Sequence, residues 1–467
     1  MRSVIIITFF ISLFGCSNFR GLSSVESPEK EISVLGDLEG NITRFNDFID
    51  KSEALYRNPD GSLQIRDGHH FVFLGDVMDR GPGSLRIMND LISLKEQSPD
   101  NVTIILGNRD INKLRIMSLM DTNINKNVPE IVMPWFKKEI EDTHKVKATV
   151  ENIKKYDTPL IRFKAFLKGM NAPSAFEFRR KELELINSGL VVDDMAVFTS
   201  FLGDYLEDGI LNRYLNLGEL AKIIDGNLFV HGAVTAENYG YIPNKQLRVN
   251  DAQEWVEQLN DWAHLEISDW FNNSKKGQEL IKYHAPRKGG ISNPLSVIYS
   301  RYSDQAGNPA APNSKFIKKL RTQGISRIVV GHTPTGDFPI IVRKPNFELL
   351  LTDSSFSSID KASKVTIRGT SVSVESSTPT GRKLIIESNV EDLNNPLGMK
   401  TTDGYRIIGR FEDSDELMAL KVEGRGRKFN TKSFSGSPTE LADRGLVEIF
   451  EQRVPLSCHE VMKTFMN

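Results

Sequence analysis

The chain has 467 residues, 26% of them charged, with 59 Lys plus Arg against 61 Asp plus Glu and a formal net charge of −2. That balance speaks against both a polybasic nucleic-acid binder and an acidic disordered chain. The length accommodates two or three domains, or one large domain with insertions, and a sizeable core.

In chain order, Met1-Arg2-Ser3 precedes an apolar run from Val4 to Phe14 broken only by Thr8 and Ser12, followed by Gly15-Cys16. A basic start and a short apolar run fit a secretory signal and are too short to span a bilayer. Leu13-Phe14-Gly15-Cys16 resembles the bacterial lipobox, whose cysteine becomes the lipidated first residue. Residues 1–16 are therefore expected to be a signal peptide of lipoprotein type, with a plain signal peptide as the alternative. The chain would then be exported, and either anchored to a membrane by lipid or secreted. With Cys16 lipidated, Cys458 has no intrachain partner. Residues 17–30, rich in Ser, Glu and Pro, read as a linker.

The folded part begins near Glu31. Ile32 to Leu35 is an apolar strand ending in Gly36-Asp37. Asn41 to Tyr56 carries Ile42, Phe45, Phe48 and Ile49 at helical spacing behind an Asn cap. Phe71 to Leu74 is a second buried strand, ending in Gly75-Asp76, with Asp79-Arg80-Gly81 three residues on. Ser84 to Leu94 repeats the amphipathic helix behind a Ser cap, and two consecutive β-α units argue for sheets flanked by helices. Val102 to Leu106 ends in Gly107-Asn108. Residues 111–222 are long, charged and helix-prone, with Trp135, Phe163, Phe166, Phe176 and Phe178 supplying apolar faces. This stretch reads as an insertion, either a lid or docking surface over the site or packing alone. Leu228 to Val230 ends in His231-Gly232, and Ile328 to Val330 in Gly331-His332. Between them Asp251 to Tyr283 is helical, its Trp255, Trp262 and Trp270 spaced as core residues. Runs at 347–352, 364–368, 371–375 and 383–387 read as strands completing a second sheet, 405–410 and 417–423 continue the β character, and 439–465 reads as helix.

One grammar recurs five times: apolar strand, glycine, then a metal-type ligand. Five strand ends deliver two Asp, one Asn and two His to the carboxyl ends of strands, where open α/β sheets keep their ligands. That outlines a dinuclear metal site. Taken together, GDLEG, GDVMDRG, GNRD, HG and GHTP resemble the calcineurin-like metallophosphoesterases, nearest their phosphoprotein phosphatase branch. The resemblance implies an α/β fold, a four-layer αββα sandwich of two mixed sheets over residues 31–390, with the helical insertion at about 112–222. Residues 391–467 would be a C-terminal β-rich extension. It implies two divalent metal ions, with Mn foremost and Fe, Zn or Mg as alternatives. Asp37 would serve one metal, Asp76 would bridge both, and Asn108, His231 and His332 would serve the other.

Two positions depart from the family pattern. Glu39 stands where the family has its first-metal histidine, and is expected to ligate in its place or else to pair with Arg109. Arg109 replaces the histidine that gives the leaving group its proton, held by the aspartate matching Asp79. Arginine cannot release a proton near neutral pH, but can clamp phosphate bidentately. Arg109 is thus expected to join Arg80 and Arg301 as a phosphate clamp, or to form a salt bridge to Asp79 or Glu39. Without the usual acid, a phenolic leaving group is favoured over an alkoxide. The expected partner is a phosphorylated protein or small phosphate ester, with phosphotyrosine-like esters turned over best and no nucleic acid. A dinucleoside polyphosphate or pyrophosphate hydrolase is the alternative enzyme, and a catalytically dead phospho-ligand binder the alternative of another class.

Overall fold

The computed structural model describes residues 31–120, 128, 130, 132–287, 292–393, 395–424 and 429–447. The expected signal peptide, the linker and most of the expected 439–465 helix lie outside these. No helix among the described residues is long and apolar enough to cross a membrane.

The amino-terminal third supplies β1 (Glu31–Leu35), β2 (Leu55–Arg57), β3 (Leu63–Ile65), β4 (His69–Phe73) and β5 (Val102–Ile104). After a run of helices come β6 (Ala221–Ile224), β7 (Asn227–Val230), β8 (Arg327–Val330), β9 (Ile340–Lys344) and β10 (Phe347–Leu351). The chain closes with β11 (Lys364–Arg368), β12 (Ser371–Ser377), β13 (Lys383–Asn389), β14 (Lys400–Thr401), β15 (Arg406–Phe411), β16 (Leu417–Glu423), β17 (Asn430–Gly436) and β18 (Leu446–Val447). The main path of the first sheet runs β17-β16-β15-β13-β12-β11-β1-β4-β5, and the second sheet runs β6-β7-β8-β10-β9. In each, the strands that end at candidate ligands run parallel: β1, β4 and β5 in the first, β7 and β8 in the second. Parallel central strands are buried on both faces, which is why they read as unbroken apolar runs. Both sheets share one apolar core, into which Trp255, Trp262 and Trp270 also point. The helices Ser84–Gln97 and Ala252–Asn272 lie against β5 and β6, giving helices outside two mixed sheets.

Local chemistry sets the helix ends. Ile42–Lys51 starts where Asn41 accepts the Arg44 N–H at 3.0 Å. It stops short of the expected Tyr56 because the Ser52 hydroxyl accepts from the Ala54 and Leu55 N–H groups, turning the chain into β2. Ser84 is the first residue of its helix and not its cap. The N-cap is Gly83, which has no side chain to offer, and Glu182 serves in its stead, its two oxygens accepting the Leu85 and Arg86 N–H groups at 3.0 Å each.

Six helices between Met133 and Leu217 carry the expected insertion. Phe136, Phe163, Phe166, Phe176, Phe198 and Phe201 give it a second apolar core of its own. Of the strands expected to complete the second sheet only β10 does so; β11 pairs antiparallel with β1, and β12 and β13 follow it in the first sheet, which the chain continues beyond residue 391. β15 pairs with β13 through Leu384↔Phe411, and β16 and β17 follow antiparallel.

Candidate functional site

The carboxyl ends of β1, β4, β7 and β8 meet at one point. Ligand atoms of Asp76, His231 and His332 lie within 4.8 Å of one another. Asp37 accepts the His332 N–H at 3.2 Å and lines the same cavity as Asn108. His231 Nδ1 lies 2.6 Å from the Leu74 carbonyl, which can only accept, so Nδ1 carries a proton. Its Nε2 faces Asn108 Oδ1 at 3.1 Å and Asp76 Oδ1 at 3.4 Å. One ring nitrogen and two oxygens thus converge at ligand spacing in a buried site. His332 Nε2 is buried beside them without a partner among the described residues, and burial followed by the Arg301 charge holds its ring pKa well below its ordinary value. Burial, then Asp353, Asp76 and Glu39, raise the Asp37 carboxyl well above its usual range. Buried imidazole and amide ligands beside crowded carboxylates fit a divalent metal of the Mn, Fe, Zn or Mg type.

The glycine before each ligand has a steric cause. A Cβ at Gly107 would lie 2.2 Å from Asp76 Oδ1, and one at Gly331 would lie 2.2 Å from Asp37 Oδ1. Gly331→Ala is therefore expected to push Asp37 aside and lower tightly held metal by at least about one equivalent per chain. Metal analysis showing wild-type content in this variant would refute the steric account. Strain gathers here too: Glu39, Asp76, Asp79 and His332 have φ of 48°, 54°, 106° and 57°. Such conformations cost about 1–3 kcal/mol each and persist where surroundings over-determine them.

Glu39 is the site residue whose placement departs from the first expectation. Its Oε1 accepts Arg109 Nε at 2.5 Å and its Oε2 accepts Arg80 Nη1 at 2.6 Å. Both oxygens are thus engaged by guanidinium groups, the arrangement weighed as the alternative to ligation. Burial raises its pKa, against the opposing charges of Arg109 and Arg80. Arg109 likewise forms the ion pairs weighed against the clamp, with Glu39 and with Asp79 Oδ2 at 3.3 Å. Burial would lower the Arg109 pKa, but Glu39, Asp79 and Asp76 outweigh it and hold the proton more firmly. Its Nη2 has no partner among the described residues and lies on the cavity wall.

Lys113, which the sequence reading passed over, donates to Asp79 Oδ2 at 2.6 Å. Burial would raise Asp79, yet Lys113 and Arg109 hold it below its ordinary value. Asp79 here balances two cations rather than orienting a histidine. Asp110 accepts from Gly107, Asp76 and Val77 N–H groups at 2.7, 3.0 and 2.9 Å. It braces the Asp76 loop, with both oxygens occupied and no exposed surface.

A cavity of about 290 Å³ opens over the cluster. Four arginines reach it: Arg80, Arg109, Arg301 and the unforeseen Arg115. Arg301 donates to the His332 carbonyl, so it also fixes a candidate ligand. Arg80 stacks over Phe356 with 4.6 Å to the ring centroid. The insertion contributes Val132, Phe166, Met170 and Asn171 to the cavity wall. Asp353, at the end of β10, lines it as well. It obeys the strand-then-ligand grammar without the glycine, the signal that would have found it.

Comparison with known proteins places these features in context. The family model described as calcineurin-like phosphoesterase matches residues 31–353. The catalytic subunit of serine/threonine-protein phosphatase 4 of Eremothecium gossypii is 29% identical over 105 residues, 22% of this chain and 30% of that protein. Serine/threonine-protein phosphatase SIT4 of Candida albicans is 31% identical over 88 residues, 19% and 26% of the two chains. The symmetrical bis(5'-nucleosyl)-tetraphosphatase of a Janthinobacterium species is 35% identical over 83 residues, 18% and 25% of the two. The chain thus spans less than a third of the length of these curated relatives. Among solved structures, a cold-active protein-tyrosine phosphatase of a psychrophilic Shewanella species aligns at 14% identity, covering 74% of this chain and 77% of that one with a TM-score of 0.39.

Proposed function

Because the chain belongs to the calcineurin-like phosphoesterase family, we propose that it is a metal-dependent phosphomonoesterase that prefers aryl esters such as phosphotyrosine. The observation that carries this is the convergence of His231 Nε2, Asn108 and Asp76 beside the unpartnered His332 Nε2, under an arginine-lined cavity. Asp37, Asp76, Asn108, His231 and His332 would hold the metal, whose chemistry when bound is to activate water and neutralise phosphoryl oxygens. The protein's own part is positioning. Arg80 and Arg109 present guanidinium edges at the cavity wall while anchored on Glu39, and Arg301 does so while anchored on the His332 carbonyl. Anchored forks bind a phosphate with little further ordering cost.

The substrate preference rests on the proton. At the family's acid position Arg109 keeps its proton, and Asp110 is turned into the backbone. A phenolate leaves without protonation far more readily than an alkoxide. Phe166, Tyr299 and Phe356 on the cavity walls suit an aromatic leaving group. With metal supplied, kcat/KM for a phosphotyrosyl peptide is expected to exceed that for the matched phosphoseryl peptide by about 10²-fold or more. Equal values would overturn the aryl preference. The tetraphosphatase relative supports a second reading, a phosphoanhydride hydrolase, and faster turnover of diadenosine tetraphosphate than of either peptide would favour it. The four strained residues of the site weigh against a binder without catalysis.

A further inference from the structure

We propose that Asp353, not Glu39, supplies the carboxylate that completes the first cation position beside Asp37 and Asp76. This rests on the dinuclear reading above and adds a ligand that the motif pattern does not contain. The geometry comes from β1 and β10. A Cβ on Gly36 would lie 2.3 Å from the Thr352 carbonyl oxygen, so the two strand ends touch immediately before Asp37 and Asp353. Thr352 is itself held to β8 by its N–H on the Val330 carbonyl at 2.9 Å. The Asp353 carbonyl accepts from the Thr335 N–H at 2.9 Å, in the loop that follows His332. Asp353 is therefore fixed between the strand of Asp37 and the strand of His332.

Its side chain is available. Asp353 is 2% exposed. Oδ1 accepts the Ser355 N–H at 2.9 Å, and Oδ2 has neither a hydrogen bond nor an ion pair among the described residues. The residue lines the cavity that Asp37 and Asp76 also line, so this oxygen is free to take a cation held there. Glu39 has the opposite character. Each of its oxygens is held by an arginine at 2.5–2.6 Å, and turning it onto a metal would strand two buried or half-buried guanidiniums. His332, with its unpartnered Nε2, marks the other edge of the same centre. The histidine the family keeps at the Glu39 position is thus replaced in two parts: Glu39 organises the phosphate-facing arginines, and Asp353 takes over ligation. An all-oxygen first position of Asp37, Asp76 and Asp353 would suit hard ions such as Mn or Mg.

The test uses the full-length protein loaded with Mn, with metal content by elemental analysis and electron paramagnetic resonance as readouts. The wild type is expected to hold about two equivalents and give the spectrum of a spin-coupled pair. Asp353→Asn is expected to hold about one and give a mononuclear spectrum, while Glu39→Gln keeps about two, since glutamine retains acceptor and shape. Thermal melting confirms that each variant is folded, and Asp353→Glu, which keeps the carboxylate, should recover part of the second equivalent. A wild type holding a single equivalent would overturn the dinuclear reading itself. D353N holding both ions, or E39Q falling to one while D353N keeps two, would overturn the ligand assignment alone.

Discussion

Asp76→Ala should lose its bound metal and its turnover together, with p-nitrophenyl phosphate hydrolysis falling by about 10³-fold or more. The size follows from the several kcal/mol that charge neutralisation at such a centre contributes, each 1.36 kcal/mol being about tenfold in rate. Asp76 is the residue whose carboxylate meets both His231 Nε2 and the Arg109 backbone N–H, at 3.4 and 2.7 Å. Its backbone contributes separately, donating to Asp110, so the loop keeps its brace when the side chain is cut back. His332→Ala should show the same joint loss to a smaller degree, since on the proposed reading it would serve one metal where Asp76 would serve both. An Asp76→Ala protein with wild-type metal content and activity within tenfold of the parent would remove the basis for a metal site here.

Arg109→Met should destabilise the fold by about 3–5 kcal/mol, the usual cost of breaking a buried ion pair from one side. Arg109 is 7% exposed, and its guanidinium reaches Glu39, Asp79 and the Met170 carbonyl at 2.5, 3.3 and 3.4 Å. Its removal leaves Glu39 with Arg80 alone and Asp79 with Lys113 alone, both in a low-dielectric pocket. Arg109→Lys should recover less than half of the loss, because an ammonium cannot span the same carboxylates in one plane. Urea unfolding of the three proteins measures this. A loss below about 1 kcal/mol for Arg109→Met would show that the pairs are incidental.

The site was legible wherever strand ends had to approach closely. Gly107 and Gly331 stand where any side chain would collide with Asp76 or Asp37, so the packing that builds the centre also writes glycine-ligand pairs into the chain. Asp353 escaped because β10 reaches the centre through Thr352, with no glycine to announce it. The partner of Glu39 was undecidable from spacing, since Arg80 and Arg109 lie 41 and 70 positions away and only the fold brings both onto one carboxylate. The cap of the Ser84–Gln97 helix fails for the same reason: Glu182 is 97 positions from Leu85. Strands β10 to β13, β15 and β16 were visible as apolar or alternating runs. That β15 would join the first sheet was not, because only the Leu384 and Ile385 pairing links it to β13.

The roof of the cavity belongs to one apolar cluster and its floor to another. Leu183 and Tyr205 pack against both, and Tyr205 reaches across to the Lys113 carbonyl at 2.9 Å. Polar contacts cross the same boundary: Glu182 accepts the Leu85 and Arg86 N–H groups, and Arg109 reaches the Met170 carbonyl. Widening the entrance would therefore draw on the Glu182 brace and the Arg109 network together, which ties the shape of the mouth to the order of the catalytic floor.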